Sequence, residues 1–295
     1  MKTIIDLIGN TPLVQINAPE FPEHVRVFAK LEKQNPGGSV KDRTAYGMIT
    51  GALSRKEIKQ GDRIVEATSG NTGIALAMIA RQYHLDLTLI MPEDSTQERI
   101  DTMKAYGAEV ILTPASKTIE YSRTLAQEMA DNDGYFLLNQ FDNPDNAAIH
   151  YQTTGPEIWE STKGKITHFV SSMGTTGTIM GVSKYLKEKN KNVQIVGAQP
   201  SEGSSIPGIR RWSPEFLPAI FDAKRVDQTM EVSQKDAIAH MKEMASQYGV
   251  FAGMSSGGAY AIAKRIALSV KEPAHIVFIV CDIGDRYLSS GIYGD

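Results

Sequence analysis

Residues 64–91 read IVEATSGNTGIALAMIARQYHLDLTLIM, and this stretch decides the fold class. The apolar run Ile64–Ala67 fits a buried strand, and the small residues at 68–73 fit a turn. Thr72–Arg81 then carries apolar residues at helical spacing, and Leu85–Met91 fits a second buried strand. A strand, a helix and a strand in direct succession predict two parallel strands joined by a crossover helix.

The same alternation continues on both sides of this unit. Ser95 with Glu98 predicts a capping box at a helix start, and Gly107 stands where a C-terminal cap glycine belongs. Asp142–Asn146 is polar, contains a proline and predicts a linker between two series of strands. Periodicity leaves open to which series Val25–Leu31 belongs. We predict an α/β fold with two doubly wound, mostly parallel sheets. The further predicted elements are strands Ala108–Leu112, Tyr135–Asn139, Ile166–Ser171, Val193–Gln199, Arg225–Val232 and His275–Cys281, and helices Thr96–Tyr106 and Thr118–Ala130.

Composition and charge exclude several classes of function. The chain has 295 residues, 41% hydrophobic and 22% charged, with a net charge of -3, so its charge balance gives no attraction to nucleic acid or anionic lipid. The single Cys281 excludes an intrachain disulfide and a cysteine-based zinc site. The six histidines are scattered without an HExxH pairing, so we expect no metal site. We expect a cytoplasmic protein, because we find neither a signal-peptide pattern nor the ~18 apolar residues of a membrane span.

Lys41 follows a strong turn signal, Asn35–Gly38, and Ser39 is predicted as the N-cap of the next helix. Lys41 shares the apolar face of that helix because it precedes Ala45 by four residues and Met48 by seven. The helix dipole and burial both lower the pKa of such a lysine, and Schiff-base chemistry with an aldehyde requires a neutral amine. On this segment alone, a lysine whose ammonium reaches solvent is the more ordinary interpretation.

Three further turns join a strand to a helix and predict anion binding. Glu66–Gly73 and Ser172–Thr178 are rich in glycine and hydroxyl residues, so N–H groups and hydroxyls converge at a helix N-terminus. Alone, the first fits an ordinary turn equally well, and Gly253–Gly258 fits simple helix capping. Ser172–Thr178 matches neither the P-loop nor the dinucleotide fingerprint, which favours a phosphate outside a nucleotide. An inward lysine with a phosphate cradle and a carboxylate cradle predicts a pyridoxal-phosphate (PLP) site for an amino-acid substrate.

Several motifs in this order resemble the cysteine synthase family of fold-type II PLP enzymes, whose fold is like that of tryptophan synthase β. They are NPGGSVKDR at Asn35–Arg43, EATSGNTG at Glu66–Gly73, GTTGT at Gly174–Thr178 and the serine turn Ser255–Gly257. The resemblance extends from Ile8–Leu13 to Gly284–Leu288, and SSIPGIRRW at Ser204–Trp212 with Cys281-Asp282 resembles the B type of the family.

The resemblance implies a homodimer of two-domain subunits. The smaller domain, 36–145, carries the lysine and the substrate-carboxylate loop. The larger domain, 1–35 plus 146–295, carries the phosphate loop.

The resemblance also implies a role for each motif. Lys41 carries PLP as a Schiff base and, once freed, removes the α-proton as general base. Asn71 hydrogen-bonds the phenolic oxygen of PLP, and Ser255 meets the pyridine nitrogen. The residues that hold the phosphate are Gly174, Thr175, Thr176, Gly177 and Thr178, and those that grip the substrate carboxylate are Thr68, Ser69, Thr72 and Gln140. The implied reaction is β-replacement, in which acetate leaves O-acetyl-L-serine and sulfide or thiosulfate adds, giving L-cysteine or S-sulfocysteine.

Arg210 and Arg211 are adjacent in a loop, where surface charge is usually solvated or paired with acidic neighbours. The B-type resemblance implies instead that at least one of them faces the entrance of the active site. A cation there would favour an anionic sulfur donor such as thiosulfate over bisulfide alone.

Three other functions compete with this interpretation. A serine or threonine dehydratase would use the same lysine and phosphate loop but release ammonia and a keto acid, and the segment Ser204–Trp212 favours the synthase. A nucleotide-binding regulator would need a Walker or dinucleotide motif, which the sequence lacks. A structural or interaction protein would have no need of an inward lysine beside two anion cradles.

Overall fold

The computed structural model describes residues 1–294 of the chain. The strands are β1 (Leu13–Ile16), β2 (Val25–Lys30), β3 (Arg63–Ala67), β4 (Asp86–Pro92), β5 (Glu109–Thr113), β6 (Phe136–Leu137), β7 (His168–Ser172), β8 (Gln194–Pro200), β9 (Gln228–Val232) and β10 (Ala274–Ile279). The helices are α1 (Lys41–Ser54), α2 (Asn71–Gln82), α3 (Gln97–Ala105), α4 (Thr118–Asn132), α5 (Pro144–Gln152), α6 (Thr154–Ser161), α7 (Gly177–Lys189), α8 (Gln234–Tyr248) and α9 (Met254–Ser269). Within this part of the chain, no helix has both the length and the apolarity needed to cross a membrane.

The larger sheet has six strands in the order β1-β2-β10-β7-β8-β9. Only β1 runs antiparallel to its neighbour, and every other adjacent pair is parallel. The central strand β10 is apolar on both faces because helices cover both sides of the sheet. Ile276 and Phe278 pack in one core cluster with residues of α8 and α9, whereas Val277 and Ile279 pack with residues of α6 and α7.

The smaller sheet has four parallel strands in the order β5-β4-β3-β6. Ile64 and Leu89 pack against α1, α2 and α3 on one face, and Val65 and Ile90 pack towards α4 on the other. Residues 72–80 of α2 are all buried, because this helix lies between the sheet and α1. The predicted fold, two mostly parallel sheets with helices on both faces, is confirmed.

The tertiary structure settles the position of the first strands. Strand β2, predicted as Val25–Leu31, pairs with β10 in the larger sheet, where Val27 lies opposite Ile276. The pattern of polar and apolar residues in β2 is compatible with either sheet, so only the strand pairing shows to which sheet β2 belongs. Gly107 has a φ of +90° just after α3, as predicted for a C-terminal cap glycine.

Two local predictions are wrong. No side chain caps α3, which begins after Thr96, because Ser95 lies in a turn and its hydroxyl donates to the Pro92 carbonyl at 2.7 Å. Asp142–Asn146 is a helix start rather than a linker, since Pro144 is the first residue of α5 and the Asn143 side chain accepts from the Asp145 N–H.

The loops that follow β3, β7 and β10 emerge from the carboxyl ends of their strands, where α/β proteins bind ligands. The start of α1 is attached to the end of β10 by an antiparallel bridge between Ser39 and Asp282. The Val40 N–H donates to the Cys281 carbonyl at 2.8 Å, and the Ile283 N–H donates to the Gly38 carbonyl at 3.1 Å. Lys41 is thereby fixed beside the residues that follow β10.

Candidate active site

Lys41 is the first residue of α1 and is half-buried. The face that it shares is fully buried, with Ala45 and Met48 at 0% exposure, as the sequence predicts. The predicted cap position is wrong by one residue, because Val40 and not Ser39 precedes the helix. The Ser39 hydroxyl nevertheless accepts from the Lys41 N–H at 3.2 Å, so it still satisfies one free donor of the first turn.

The surroundings of Lys41 favour a neutral amine. Burial lowers its pKa, and the neighbouring Cys281 and Asp282 oppose that shift. Burial raises the pKa of the Cys281 thiol to about 12, so the thiol is neutral at pH 7. Among the residues described, no acceptor takes a hydrogen bond from the Lys41 Nζ. An uncharged, unbonded amine is a competent nucleophile for an aldehyde.

The phosphate loop Gly174–Thr178, which runs from the end of β7 into the first turn of α7, presents unused hydrogen-bond donors. None of its backbone N–H groups donates to another described residue. Thr176 has a φ of +70°, and its hydroxyl is buried without a partner. A Cβ on Gly174 would lie 2.7 Å from the Gly208 carbonyl, so glycine is required there. Converging free N–H groups at the start of a helix hold an anion with several oxygens.

The loop Thr68–Gly73, which includes the first turn of α2, forms a second group of donors. The N–H groups of Ser69, Asn71 and Thr72 bond to no described residue. The Thr72 hydroxyl donates to Gln140 Oε1 at 2.7 Å, which brings Gln140 to this loop from the end of β6. Thr68, Thr72 and Gln140 are all buried, so these polar groups are shielded from water. The geometry suits a carboxylate.

Asn71 is held by residues that the sequence interpretation did not assign. Its Nδ2 donates to Asp282 Oδ2 at 2.8 Å, and its Oδ1 accepts from Arg286. The Tyr287 hydroxyl donates to the same Asp282 oxygen at 2.7 Å, and Asp282 Oδ1 is buried without a partner. One hydrogen of the Asn71 Nδ2 stays available for a ligand. A signal for Asp282 existed, since it directly follows the buried strand β10 at its carboxyl end.

Ser255 lies in the first turn of α9 and is buried. Its carbonyl accepts from the Ser172 hydroxyl at 2.7 Å, which joins the start of α9 to the end of β7. A Cβ on Gly208 would lie 3.4 Å from the Ser255 hydroxyl. The serine turn and the phosphate loop therefore lie against each other, as one ligand would require.

Arg210 and Arg211 diverge. The Arg210 N–H donates to the Met173 carbonyl at 2.8 Å, and its exposed guanidinium lies 5.8 Å from the Trp212 ring centroid. Trp212 in turn donates to the Gly174 carbonyl at 2.9 Å, so this segment crosses the phosphate loop. Arg211 instead pairs with Glu231 of β9 at 2.5 Å, with both side chains about half exposed. The structure thus gives Arg211 the acidic neighbour that surface arginines usually find.

The residues present fit PLP. The free N–H groups and the orphan Thr176 hydroxyl need an anion with several acceptor oxygens, which a phosphate provides. The lysine of lowered pKa suits the aldehyde of the cofactor, and the loop at Thr68–Gly73 suits a carboxylate. Within residues 1–294, no three His, Cys, Asp or Glu side chains form a possible metal site. The fold and the site together define an α/β enzyme whose lysine binds a phosphorylated aldehyde cofactor.

Comparison with known proteins leads to the same class. Residues 4–282 match the family described as pyridoxal-phosphate dependent enzyme. Cysteine synthase B of Escherichia coli K12 is 55% identical over 295 residues, covering 100% of this chain and 97% of that protein. Cysteine synthase B of Pseudomonas aeruginosa is 54% identical over 291 residues, with 99% and 97% covered.

Solved structures are similar over the whole chain. A cysteine synthase of Entamoeba histolytica superposes with a TM-score of 0.94 at 35% identity, covering 100% of this chain and 91% of that one. O-ureido-L-serine synthase gives a TM-score of 0.93 at 35% identity, covering 99% and 95%. The chain belongs to the pyridoxal-phosphate dependent enzymes and, among them, to the cysteine synthases, which are enzymes of cysteine biosynthesis. Its cofactor is PLP.

Proposed function

We propose that this enzyme replaces the acetoxy group of O-acetyl-L-serine by a sulfur nucleophile, giving L-cysteine from sulfide or S-sulfocysteine from thiosulfate, plus acetate. The observation that carries the proposal is the half-buried Lys41, whose amine is unbonded within the described chain, beside two loops of unused N–H donors. PLP, when bound, supplies an electron sink for charge that develops at the α-carbon. The protein supplies position, electrostatics and proton transfer.

In this proposal the two loops orient the ligands. Gly174, Thr175, Thr176, Gly177 and Thr178 hold the phosphate, and Thr68, Ser69, Thr72 and Gln140 hold the substrate carboxylate. Asn71 keeps one free N–H for the phenolic oxygen, because Asp282 occupies the other. The Ser255 hydroxyl would meet the pyridine nitrogen, where a neutral group would not keep that nitrogen protonated. A ring of this kind would be less electron-withdrawing, which would favour elimination at the β-carbon.

Lys41 Nζ moves the α-proton in this scheme. Burial lowers its pKa, which increases the fraction of free amine that can accept the proton. Asp282 lies near it and stabilises the ammonium that results.

The sulfur donor is proposed to meet Arg210. Its guanidinium is exposed beside Trp212, above the phosphate loop, whereas Glu231 neutralises Arg211. A cation at that point attracts an anionic donor such as thiosulfate.

Lys41→Ala tests the proposal. Removing the amine should abolish both turnover and the visible absorbance of the bound cofactor, whereas Lys104→Ala, an exposed lysine on α3, should change neither. Full activity in Lys41→Ala would refute the assignment. Product analysis with serine and O-acetylserine separates the synthase from a dehydratase, which would release pyruvate and ammonia.

The subunit organisation belongs to the same proposal. Strands β3–β6 lie within residues 36–145 and all other strands outside this range, which supports a smaller domain there and a larger one from 1–35 plus 146–295. A homodimer is proposed from the family resemblance, and light scattering measures it. A cytoplasmic location remains a prediction.

A further inference from the structure

Asn146 of α5 joins three separate parts of the site. It is 0% exposed, and its Oδ1 accepts from the Thr44 hydroxyl, one turn after Lys41, at 3.0 Å. Its Nδ2 donates to the Gln140 carbonyl at 2.7 Å and to the Thr175 hydroxyl at 3.1 Å. One amide therefore contacts the lysine helix, the carboxylate grip and the phosphate loop.

The orientation of this amide is fixed by chemistry. The Gln140 carbonyl can only accept a hydrogen bond, so the nitrogen of Asn146 must face it and the oxygen must face Thr44. The Gln140 side chain accepts from Thr72, so a continuous hydrogen-bonded chain runs from Thr72 through Gln140 and Asn146 to Thr175. This chain crosses from the loops of the smaller sheet to those of the larger sheet.

The helix that carries Asn146 is clamped between α1 and α7. A Cβ on Gly47 would lie 2.8 Å from the Ile149 Cβ, and a Cβ on Gly177 would overlap the Asn146 amide. A Cβ on Gly181 would likewise overlap the Ala147 carbonyl. These contacts leave no space for a side chain between the helices. Loss of the Asn146 hydrogen bonds should therefore displace the bonded loops rather than be absorbed by the packing around α5.

We propose that Asn146 is a positioning residue of the reaction, which sets the carboxylate grip and the phosphate loop at a fixed separation from the lysine helix. The inference rests on the proposed roles of Gln140 and Thr175. Asn146 itself touches neither ligand in this scheme. Its loss should weaken amino-acid and cofactor binding together, beyond what a loss of stability explains.

Asn146→Leu removes all three hydrogen bonds and keeps nearly the same shape. With the holoenzyme, the probe is L-alanine, which has no leaving group and is followed by the visible absorbance of the bound cofactor. We expect its Kd to rise about tenfold and PLP retention on dialysis to fall similarly, because a buried carbonyl and hydroxyl lose their partners. Met244→Ala, fully buried in α8, is the control, since it should lower Tm without changing either affinity.

A double-mutant cycle gives the specific readout. If Asn146 acts through Gln140, then Asn146→Leu should add little to the loss of L-alanine affinity in Gln140→Ala. Additive losses, wild-type affinities in Asn146→Leu, or losses equal to those of Met244→Ala at equal Tm would each overturn the proposal.

The single variant Gln140→Ala and one further variant, Asn146→Ser, keep the test decisive. Wild-type L-alanine affinity in Gln140→Ala would refute the proposed role of Gln140. Weakened affinity in that variant with wild-type affinity in Asn146→Leu would refute only the role of Asn146. If Asn146→Leu does not fold, Asn146→Ser retains a hydroxyl that can donate to one acceptor only. It should then show a smaller loss in the same direction, and an unchanged affinity would overturn the inference.

Discussion

Arg43→Met tests the buried ion network that anchors the helix beginning at Lys41. The guanidinium donates to both oxygens of Glu32, with Nε–Oε2 at 2.7 Å, and to both oxygens of Glu157, with NH1–Oε1 at 2.6 Å. Lys30 bonds Glu157 at 2.6 Å from the other side. Arg43 and Lys30 are 1% exposed and Glu32 is 0% exposed, so the network joins α1 to the larger sheet away from water.

The magnitude follows from the charge that would be left behind. Burial alone raises the pKa of Glu32, but the Arg43 guanidinium, together with Lys30 and the Thr11 hydroxyl, outweighs it and lowers that pKa from 4.5 to about 2. This shift corresponds to about 3 kcal/mol of stabilisation at pH 7. Removing one partner of a buried ion pair typically costs about 3–5 kcal/mol, and we expect Arg43→Met to lower the free energy of unfolding by that amount.

Urea unfolding of the holoenzyme measures the effect, with Arg55→Met as the matched control. Arg55 also bonds two carboxylates, but its side chain is 44% exposed, so its loss should cost at most about 1 kcal/mol. The stabilisation from ionised Glu32 is present above pH 4.5 and is lost as the pH falls towards 2, so the deficit of Arg43→Met should shrink in acid. Equal losses in the two variants would refute an anchoring role for Arg43.

Three more outcomes are expected. Gly177→Ala should abolish PLP retention, because a Cβ there overlaps the Asn146 amide. It should also lower the free energy of unfolding in urea by about 1–3 kcal/mol. Bound PLP at the wild-type level would contradict this prediction. Arg210→Ala should raise the KM for thiosulfate about tenfold, a loss typical of a charge-assisted hydrogen bond, and leave the KM for sulfide nearly unchanged. Arg211→Ala, which breaks only the exposed pair with Glu231, should leave both KM values nearly unchanged, and equal effects of the two variants would argue against the proposal. Burial raises the pKa of Glu66 from 4.5 to about 8, so ionising it costs stability as the pH rises above 4.5. Glu66→Gln should therefore gain on the order of 4 kcal/mol at pH 9 and little at pH 5, and an equal gain at both would be evidence against a raised pKa.

Much of the fold was predictable because its signals are local. The apolar runs of β3, β4 and β10 and the helical spacing after Lys41 are properties of short segments, and each is found at its place within a few residues. The three errors, at Ser39, at Ser95 and at Asp142–Asn146, are also local. In each, the local turn or cap pattern is compatible with two structures, and the protein adopts the one that was not predicted.

The sequence by itself determined the alternation of strands and helices, the apolar helix face that Lys41 shares and the loops rich in glycine and hydroxyls, because these depend on neighbours along the chain. Only the tertiary structure decided which groups meet across it. Asn71 and Asp282 are 211 residues apart and share a hydrogen bond, and Arg211 meets Glu231 on an adjacent strand. The sequence placed Asn146 in a predicted linker, whereas in the structure its amide bonds to Thr44, Gln140 and Thr175. A side chain's partners depend on packing between segments, and no local pattern encodes them.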